Sequence, residues 1–98
     1  MAVTAGFLAK VKTAIRVSYN NLDSQITDLI EEAILDLTAT ADIKSFTSAN
    51  ADALQGGAVI AYVSWKWFND EKYFTAYNDM KAKMALSSQY RSVMVDEE

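Results

Sequence analysis

Residues 22–37 read LDSQITDLIEEAILDL and decide the fold of this 98-residue chain. Apolar residues recur here at the i, i+3, i+4 spacing of a helix that buries one face, and the pattern lasts about four turns. Those apolar positions are Leu22, Ile26, Leu29, Ile30, Ala33, Ile34 and Leu37. The segment therefore predicts a long amphipathic helix that has to pack against other helices.

One helix is predicted before this segment, over residues 5–16. Leu8, Val11 and Ile15 give it an apolar face at i, i+3 and i+7. Thr4 precedes the first turn, and its hydroxyl is suited to accept a hydrogen bond from an unpaired backbone N–H there. We therefore expect Thr4 to be the N-cap of this helix.

Two helices are predicted downstream, over residues 50–68 and 71–90. Asn69 and Asp70 interrupt the helical spacing, so they are expected to end the first of these helices and to cap the second. The two apolar stripes are Leu54, Ala58, Ala61, Trp65 and Phe68, and then Tyr73, Tyr77, Met80 and Met84. The chain is thus expected to be all-α, a compact bundle of about four helices.

The chain is expected to form one domain, since its length suits a single core and no linker-like stretch divides it. We assign residues 1–92 to the helical domain and residues 93–98 to a short C-terminal tail that orders on assembly. The connector at residues 38–49 contains Ile43 and Phe46. These two apolar side chains are expected to hold the connector over the core.

The composition argues against an enzyme. The chain has no His and no Cys, so it lacks the side chains that most often serve as general base, thiol nucleophile or zinc ligand. We therefore expect no catalysis, no cofactor and no metal site. The longest apolar run, residues 58–63, is far shorter than the roughly 20 residues that cross a bilayer, so we expect a soluble intracellular protein.

Charge is unevenly spread along the chain. The formal net charge is -4, whereas domains that hold DNA by its phosphates are normally basic, so we expect weak DNA affinity. Residues 1–22 hold basic side chains and no acidic one, and residues 72–91 are also mainly basic. Together with the acidic second helix, these segments of opposite sign suit head-to-tail self-association.

Four carboxylates share the outer face of the predicted second helix. They are Asp28, Glu31, Glu32 and Asp36. Two neighbouring carboxylates are able to act as general acid and base or to bind a divalent metal ion. A solvated face is the favoured interpretation, because the chain offers no His to complete such a site.

The predicted third helix is apolar on two faces, because Ile60, Val63 and Trp67 lie nearly opposite its stripe. A helix that is apolar all round is buried all round. Either this helix is the central one of the bundle, or another subunit covers its second face. The candidate subunit-interface residues are Ile60, Val63 and Trp67, together with Val93, Met94 and Val95 of the tail.

Gly56 and Gly57 lie in the first half of the same helix, where each costs about 1 kcal/mol relative to Ala. Close approach of a neighbouring helix is the favoured explanation, and a first turn that bends on assembly is the alternative. The pair lacks the following Lys and Ser or Thr of a phosphate-binding loop.

Aromatic residues cluster at the bend between the third and fourth helices. They are Trp65, Trp67, Phe68, Tyr73, Phe74 and Tyr77. Aromatic side chains mixed with basic ones are able to stack the bases of single-stranded nucleic acid. Only Lys66 and Lys72 accompany this cluster, so packing in the core or at an interface is the favoured interpretation.

The pattern as a whole resembles the head–tail connectors of tailed bacteriophages, also called adaptor or DNA-packaging connector proteins. The opening helical pair of that family is similar to residues 8–17 (LAKVKTAIRV) and 22–37. Its second helical pair is similar to residues 58–68 (AVIAYVSWKWF) and 70–91. The matching individual positions are Tyr62, Tyr77, Lys81 and Tyr90. The chain departs from the pattern at residues 40–42, where relatives often carry a Gly that ends the second helix.

The resemblance implies a structural role. Connector subunits assemble into a ring of about a dozen copies beneath the portal protein, and DNA passes through this ring during packaging and ejection without specific binding. The implied partners are further copies of the chain, the portal protein and a tail-side connector or stopper protein. The implied location is the virion, after synthesis in the bacterial host cytoplasm, and the acidic face would line the DNA channel or face outside solvent.

Two other functions are compatible with an acidic helical chain. One is a small helical DNA-binding regulator, and the other is a helical protein-interaction module of a different kind. Tight, salt-dependent binding to duplex DNA would favour the regulator over the connector.

Overall fold

The computed structural model describes residues 3–40, 46, 47, 49 and 51–87, and all structural statements concern these residues. Within them the chain forms helices and no strand. The helices are α1 (Ala5–Ala14), α2 (Asp23–Thr40), α3 (Ala53–Phe68) and α4 (Glu71–Leu86). The predicted all-α class and the four predicted helices are confirmed. The predicted tail at residues 93–98 and the end of the fourth predicted helix, residues 88–90, lie outside the described residues.

Side-chain caps set where the helices begin. The Thr4 hydroxyl accepts a hydrogen bond from the Phe7 backbone N–H at 3.2 Å, as predicted. α3 begins at Ala53, later than predicted, because Asp52 and Gln55 form a reciprocal capping box. The Gln55 N–H donates to the Asp52 carboxylate at 2.9 Å, and the Asp52 N–H donates to the Gln55 side chain at 3.1 Å.

Left-handed residues set where two helices end. Arg16 has a φ of 63°, so α1 stops at Ala14 instead of continuing to residue 16. Asn69 has a φ of 55° and closes α3, and the Asp70 carboxylate accepts a hydrogen bond from the Lys72 N–H to begin α4. The predicted break and cap at these two residues are confirmed. Only Asn69 and Asp70 separate α3 from α4, so the two helices form a tight antiparallel hairpin.

α3 is the central helix, and α1, α2 and α4 all pack against it. Six of the seven residues 58–64 are buried, with Ile60 as the exception. Since seven residues cover about two turns, the middle of α3 is enclosed on nearly every side by its own chain. This arrangement confirms the central-helix interpretation for most of the circumference.

The two glycines of α3 lie where neighbouring helices come close. A Cβ added to Gly56 would lie 3.4 Å from the Phe7 ring of α1, and one added to Gly57 would lie 3.3 Å from the Met80 sulfur of α4. The predicted close approach is confirmed for Gly57, whereas the contact at Gly56 would be an ordinary van der Waals contact. Gly56 and Gly57 thus mark the two lines along which α1 and α4 meet α3.

The predicted apolar stripes are correct for α1 and α2 and wrong at the end of α3. Ile26, Ile30 and the later stripe residues of α2 are buried, while Leu29 and Leu22, which precedes α2, are half-buried. In α3, Phe68 is 43% exposed although it was assigned to the stripe. The buried residues of α3 lie mainly in its middle. Phe68 is the last residue of the helix, where the other helices no longer cover it.

The remaining core comes from the ends of the helices and from the connector. Phe7 of α1 is buried, although the predicted α1 stripe began with the half-buried Leu8 instead. Phe46 is only 3% exposed and holds the connector against the core, as predicted, whereas Ile43 lies outside the described residues. None of the helices among the described residues is long and apolar enough to span a membrane.

Candidate functional site

One strip of α3 is incompletely covered. Ala53, Ile60 and Trp67 recur every seven residues and therefore lie on one side of the helix, within about 40° of arc. Ala53 is exposed, and Ile60 and Trp67 are half-buried. We call these three residues the α3 strip. It lies between the line where α1 meets α3 and the line where α4 meets α3.

The candidate interface residues predicted from the sequence divide into three groups. Ile60 and Trp67 belong to the α3 strip. Val63 is completely buried and belongs to the core of its own chain, so it is removed from the candidate interface. Its neighbours along the chain, Tyr62 and Ser64, are also buried. The tail residues Val93, Met94 and Val95 lie outside the described residues.

A groove of about 670 Å³ opens at the N-terminal end of the α3 strip. Its lining residues come from α1, from the segment before α3 and from the first half of α3. They are Thr4, Gly6, Phe7, Lys10, Ala49, Ala51, Asp52, Ala53, Gly56, Gly57 and Ile60. Among them, Phe7 and Ile60 are the large apolar side chains, and Lys10 and Asp52 are the charged ones, both exposed. We refer to this feature as the α1–α3 groove.

The acidic face of α2 is not a uniform solvated surface. Asp28 is exposed and Glu31 is half-buried. Glu32 accepts a hydrogen bond from the Tyr62 hydroxyl of α3 at 2.8 Å. Asp36 accepts hydrogen bonds from the Tyr77 hydroxyl and, at 3.0 Å, from the Lys81 ammonium group of α4. Two of the four carboxylates therefore join α2 to the other helices.

These contacts form a polar cluster of Glu32, Asp36, Tyr62, Tyr77 and Lys81. Burial raises the pKa of Tyr77 far above its ordinary range, and the hydrogen bond to Asp36 and the charge of that carboxylate raise it further. Burial likewise raises the pKa of Tyr62, and the hydrogen bond to Glu32 adds to the effect. Both hydroxyls are therefore held as neutral hydrogen-bond donors, which suits a structural role better than proton transfer near neutral pH.

The aromatic rings next to the polar cluster contact one another. The Tyr62 and Tyr77 rings meet edge to face with centroids 5.1 Å apart, and Trp65 lies 4.3 Å from Phe74. Lys66 lies over the Trp65 ring at 4.6 Å. Because these ring faces are already in contact, the arrangement favours packing over the stacking of nucleic-acid bases.

Part of the charge contrast noted in the sequence is neutralised within the chain. The Lys12 ammonium group lies 2.7 Å from the Asp23 carboxylate, and Lys81 pairs with Asp36. Lys10 and Arg16 are exposed on and after α1. Within the described part of the chain, acidic residues do not gather in groups of three or more that suit a metal ion.

The polar cluster was missed by sequence reasoning. Glu32 and Asp36 share a helix face, a pattern visible in the sequence, but their tyrosine partners lie 30 and 41 residues further along the chain. No local spacing links residues so far apart. The one available signal was that Tyr62 and Tyr77 are apolar-stripe residues with a hydroxyl that needs a partner when buried.

Comparison of the chain with known protein families, with curated proteins and with solved structures finds no match. Family membership therefore supplies no functional residues. Three features of the structure bear on function. They are the α3 strip, the α1–α3 groove and the polar cluster.

Proposed function

We propose that this chain is a non-enzymatic structural subunit that assembles head to tail into a ring, as in the phage head–tail connectors that its sequence pattern resembles. The observation that carries the proposal is the α3 strip with its adjoining groove. Ile60 and Trp67 remain half-buried on the side of α3 that lies between α1 and α4, and Phe7 and Ile60 form an apolar lining in the groove. Large apolar side chains beside a concave surface are typical of protein–protein contacts.

A closed ring needs a heterologous interface, in which two different patches of the subunit meet. The groove supplies one patch of mixed charge and apolar lining. In the proposed role, copies join around a DNA passage beneath a portal protein, and a tail-side connector or stopper protein binds the far side. The chain would then be a virion component, made in the cytoplasm of a bacterial host.

The charge of the chain supports this role over DNA binding. At a net charge of -4, the subunit repels phosphates on average, so DNA would slide through a ring without adhering to its wall. Asp28 and Glu31 are the acidic-face residues that no tyrosine contacts in the described part of the chain, and they are the best candidates for the channel wall.

The carboxylates give little support to an enzyme. Glu32 and Asp36, the pair best placed for acid–base chemistry, accept hydrogen bonds from Tyr62 and Tyr77. Asp36 also pairs with the Lys81 ammonium group. The pair thus joins three helices together.

The direct test is to image the purified full chain by negative-stain electron microscopy. It is examined alone at high concentration and then mixed with the portal protein encoded in the same genome. Rings on the portal are the expected result, and size-exclusion chromatography with light scattering gives their mass. A chain that stays monomeric in both conditions would rule the proposal out, and tight, salt-dependent duplex binding would favour a DNA-binding regulator.

Matched variants separate the α3 strip from general surface effects. Ile60→Glu places a charge in the strip and is expected to prevent ring formation. Leu35→Glu is the control, because Leu35 is an apolar residue of α2 with 61% exposure and lies outside the strip. Circular dichroism verifies that both variants fold. Equal loss of rings in the two variants would show that the strip has no special role.

A further inference from the structure

We propose that the α1–α3 groove of one copy binds the outer face of α4 of a second copy, through Asp79, Lys83 and Leu86. This inference rests on the proposed function, because it specifies the two patches that meet when copies join head to tail. The proposed occupant of the groove is a second copy of this chain. Charge complementarity and one exposed leucine are the observations that favour this occupant.

The outer face of α4 carries a charge pair and an apolar side chain in one row. Asp79, Lys83 and Leu86 are spaced i, i+4 and i+7, so they lie on the same side of the helix. The Asp79 carboxylate and Lys83 ammonium group are 3.1 Å apart, with side chains 65% and 64% exposed. Leu86 is 86% exposed, the largest exposure among the large apolar residues that the structure describes.

The groove offers the complementary groups. Lys10 stands on its α1 wall and Asp52 at the start of α3, while Phe7 and Ile60 supply the apolar lining. In the proposed contact Asp79 of one copy approaches Lys10 of the next, and Lys83 approaches Asp52. Asp52 also accepts the capping hydrogen bond from Gln55, and its negative charge is the property that would attract Lys83.

The size of the groove fits such an occupant. Its volume of about 670 Å³ lies within the range of roughly 300 to 1,000 Å³ that is usual for binding pockets. A protruding leucine with two flanking charged side chains fills a space of this order. Leu86 entering the apolar lining would remove from water a side chain that the single chain leaves almost fully exposed.

The same chain cannot make this contact with itself. Tyr77 and Met84 of α4 are buried, so the opposite face of the helix, with Asp79 and Lys83, points away from the core. The groove lies on the other side of the Gly57–Met80 contact line, on the α1 side of α3. Each copy therefore carries the outer face of α4 and the α1–α3 groove on different surfaces, which suits a head-to-tail contact.

Disulfide trapping tests the contact directly, because the chain contains no Cys. A Lys10→Cys variant is mixed with an Asp79→Cys variant of the full chain under mild oxidation, and covalent dimers are counted on a non-reducing gel. Both positions are exposed, so the substitutions should not disturb folding. We expect the mixed dimer to exceed each single-variant dimer several-fold. The control pairs Lys10→Cys with Asp28→Cys, an equally acidic and exposed position on α2.

A yield no higher than that of the control pair would overturn the proposal. Charge reversal supplies a second measurement that does not depend on thiol chemistry. Lys10→Glu should weaken self-association by about tenfold in sedimentation equilibrium, because an attraction becomes a repulsion. Adding Asp79→Lys to the same chain should restore it, since every head-to-tail contact contains both positions. A double variant as weak as Lys10→Glu alone would also overturn the proposal.

The two proposals fail in different ways. Rings on the portal without trapping between Lys10→Cys and Asp79→Cys would leave the proposed function standing and refute this contact. Trapping and charge rescue without rings would establish the contact and refute the connector role. A chain that neither traps nor forms rings would refute both.

Discussion

The two sides of α3 differ in how completely the other helices cover them. On the side facing α2, the gap between α2, α3 and α4 is closed by hydrogen bonds from Tyr62 and Tyr77 to Glu32 and Asp36. On the side facing α1, the described residues leave the gap between α1 and α4 open, with Ile60 half-buried along it. The first side satisfies its polar groups within the chain, whereas the second leaves apolar surface exposed to solvent. If the proposed function holds, the contacts that stabilise the fold and those that join copies lie on opposite sides of one helix.

The largest expected effect comes from removing a large side chain on the closed side. Tyr77→Ala should lower the free energy of unfolding by about 4 kcal/mol, because a ring that is 1% exposed leaves a cavity and the Asp36 carboxylate loses a hydrogen-bond donor. Urea denaturation followed by circular dichroism measures the change. Trp67→Ala changes a residue on the open side. It should lower the free energy of unfolding by less than about half of that amount, because Trp67 is only half-buried.

Equal losses for Tyr77→Ala and Trp67→Ala would contradict this division of α3. A Tyr77→Phe variant separates the hydroxyl from the ring. It keeps the volume and should cost about 1 to 2 kcal/mol, the usual consequence of leaving a hydrogen-bond partner unsatisfied.

Alkaline pH should weaken the closed side selectively. The pKa of Tyr62 and that of Tyr77 are raised in the folded chain, so the unfolded chain, whose tyrosines titrate near pH 10, loses these protons first. The stabilisation is complete below about pH 10 and is lost as the pH rises toward the folded-state pKa values, by about 1.4 kcal/mol per pH unit for each tyrosine. Urea denaturation at a series of pH values between 9 and 11.5, roughly the accessible range, measures this slope.

Conservative variants identify the tyrosines responsible. Tyr62→Phe and Tyr77→Phe together should flatten the alkaline loss. Tyr19→Phe should keep the wild-type slope, because Tyr19 is 52% exposed. An unchanged slope in the Tyr62 and Tyr77 double variant would show that other groups govern the alkaline transition.

The smallest effect concerns the contact line between α1 and α3. Gly56→Ala should raise the free energy of unfolding by about 0.5 to 1 kcal/mol, because Ala favours the helix and the new Cβ would meet the Phe7 ring at an ordinary contact distance of 3.4 Å. Gly57→Ala is the matched comparison and should gain less, since Met80 has to shift from 3.3 Å. Thermal denaturation resolves the two variants, and a loss of stability in Gly56→Ala would mean that α1 cannot accommodate the methyl group.

The fold was largely predictable because its signals are local. The stripe of α2 repeats through Ile26, Ile30 and Ile34, and the caps at Thr4 and Asp70 lie within a few residues of the backbone groups they bind. The face of α3 was harder to predict. Its residues are apolar on every side, so periodicity could not distinguish Val63, which is buried, from Ile60, which is half-buried.

The candidate site was predictable only in part. Ile60 and Trp67 stood out as apolar residues outside the main stripe, but the groove beside them depends on α1 meeting α3 at Gly56. The polar cluster depends on pairings such as Tyr77 with Asp36, whose positions are 41 residues apart. Such contacts are set by how helices pack, and helical spacing in a single sequence carries no information about them.

The two-residue link between α3 and α4 has a consequence for the order of folding. Because only Asn69 and Asp70 join these helices, their contacts close short loops and need little loss of chain entropy, whereas α1 reaches α3 across some forty residues. We expect the α3–α4 hairpin to form first, which pulse-labelled hydrogen exchange would reveal as early protection of α4. If the proposed contact holds, a chain that is still folding would display the outer face of α4 before its groove has formed. It would then be able to bind the groove of a folded copy before its own groove accepts one.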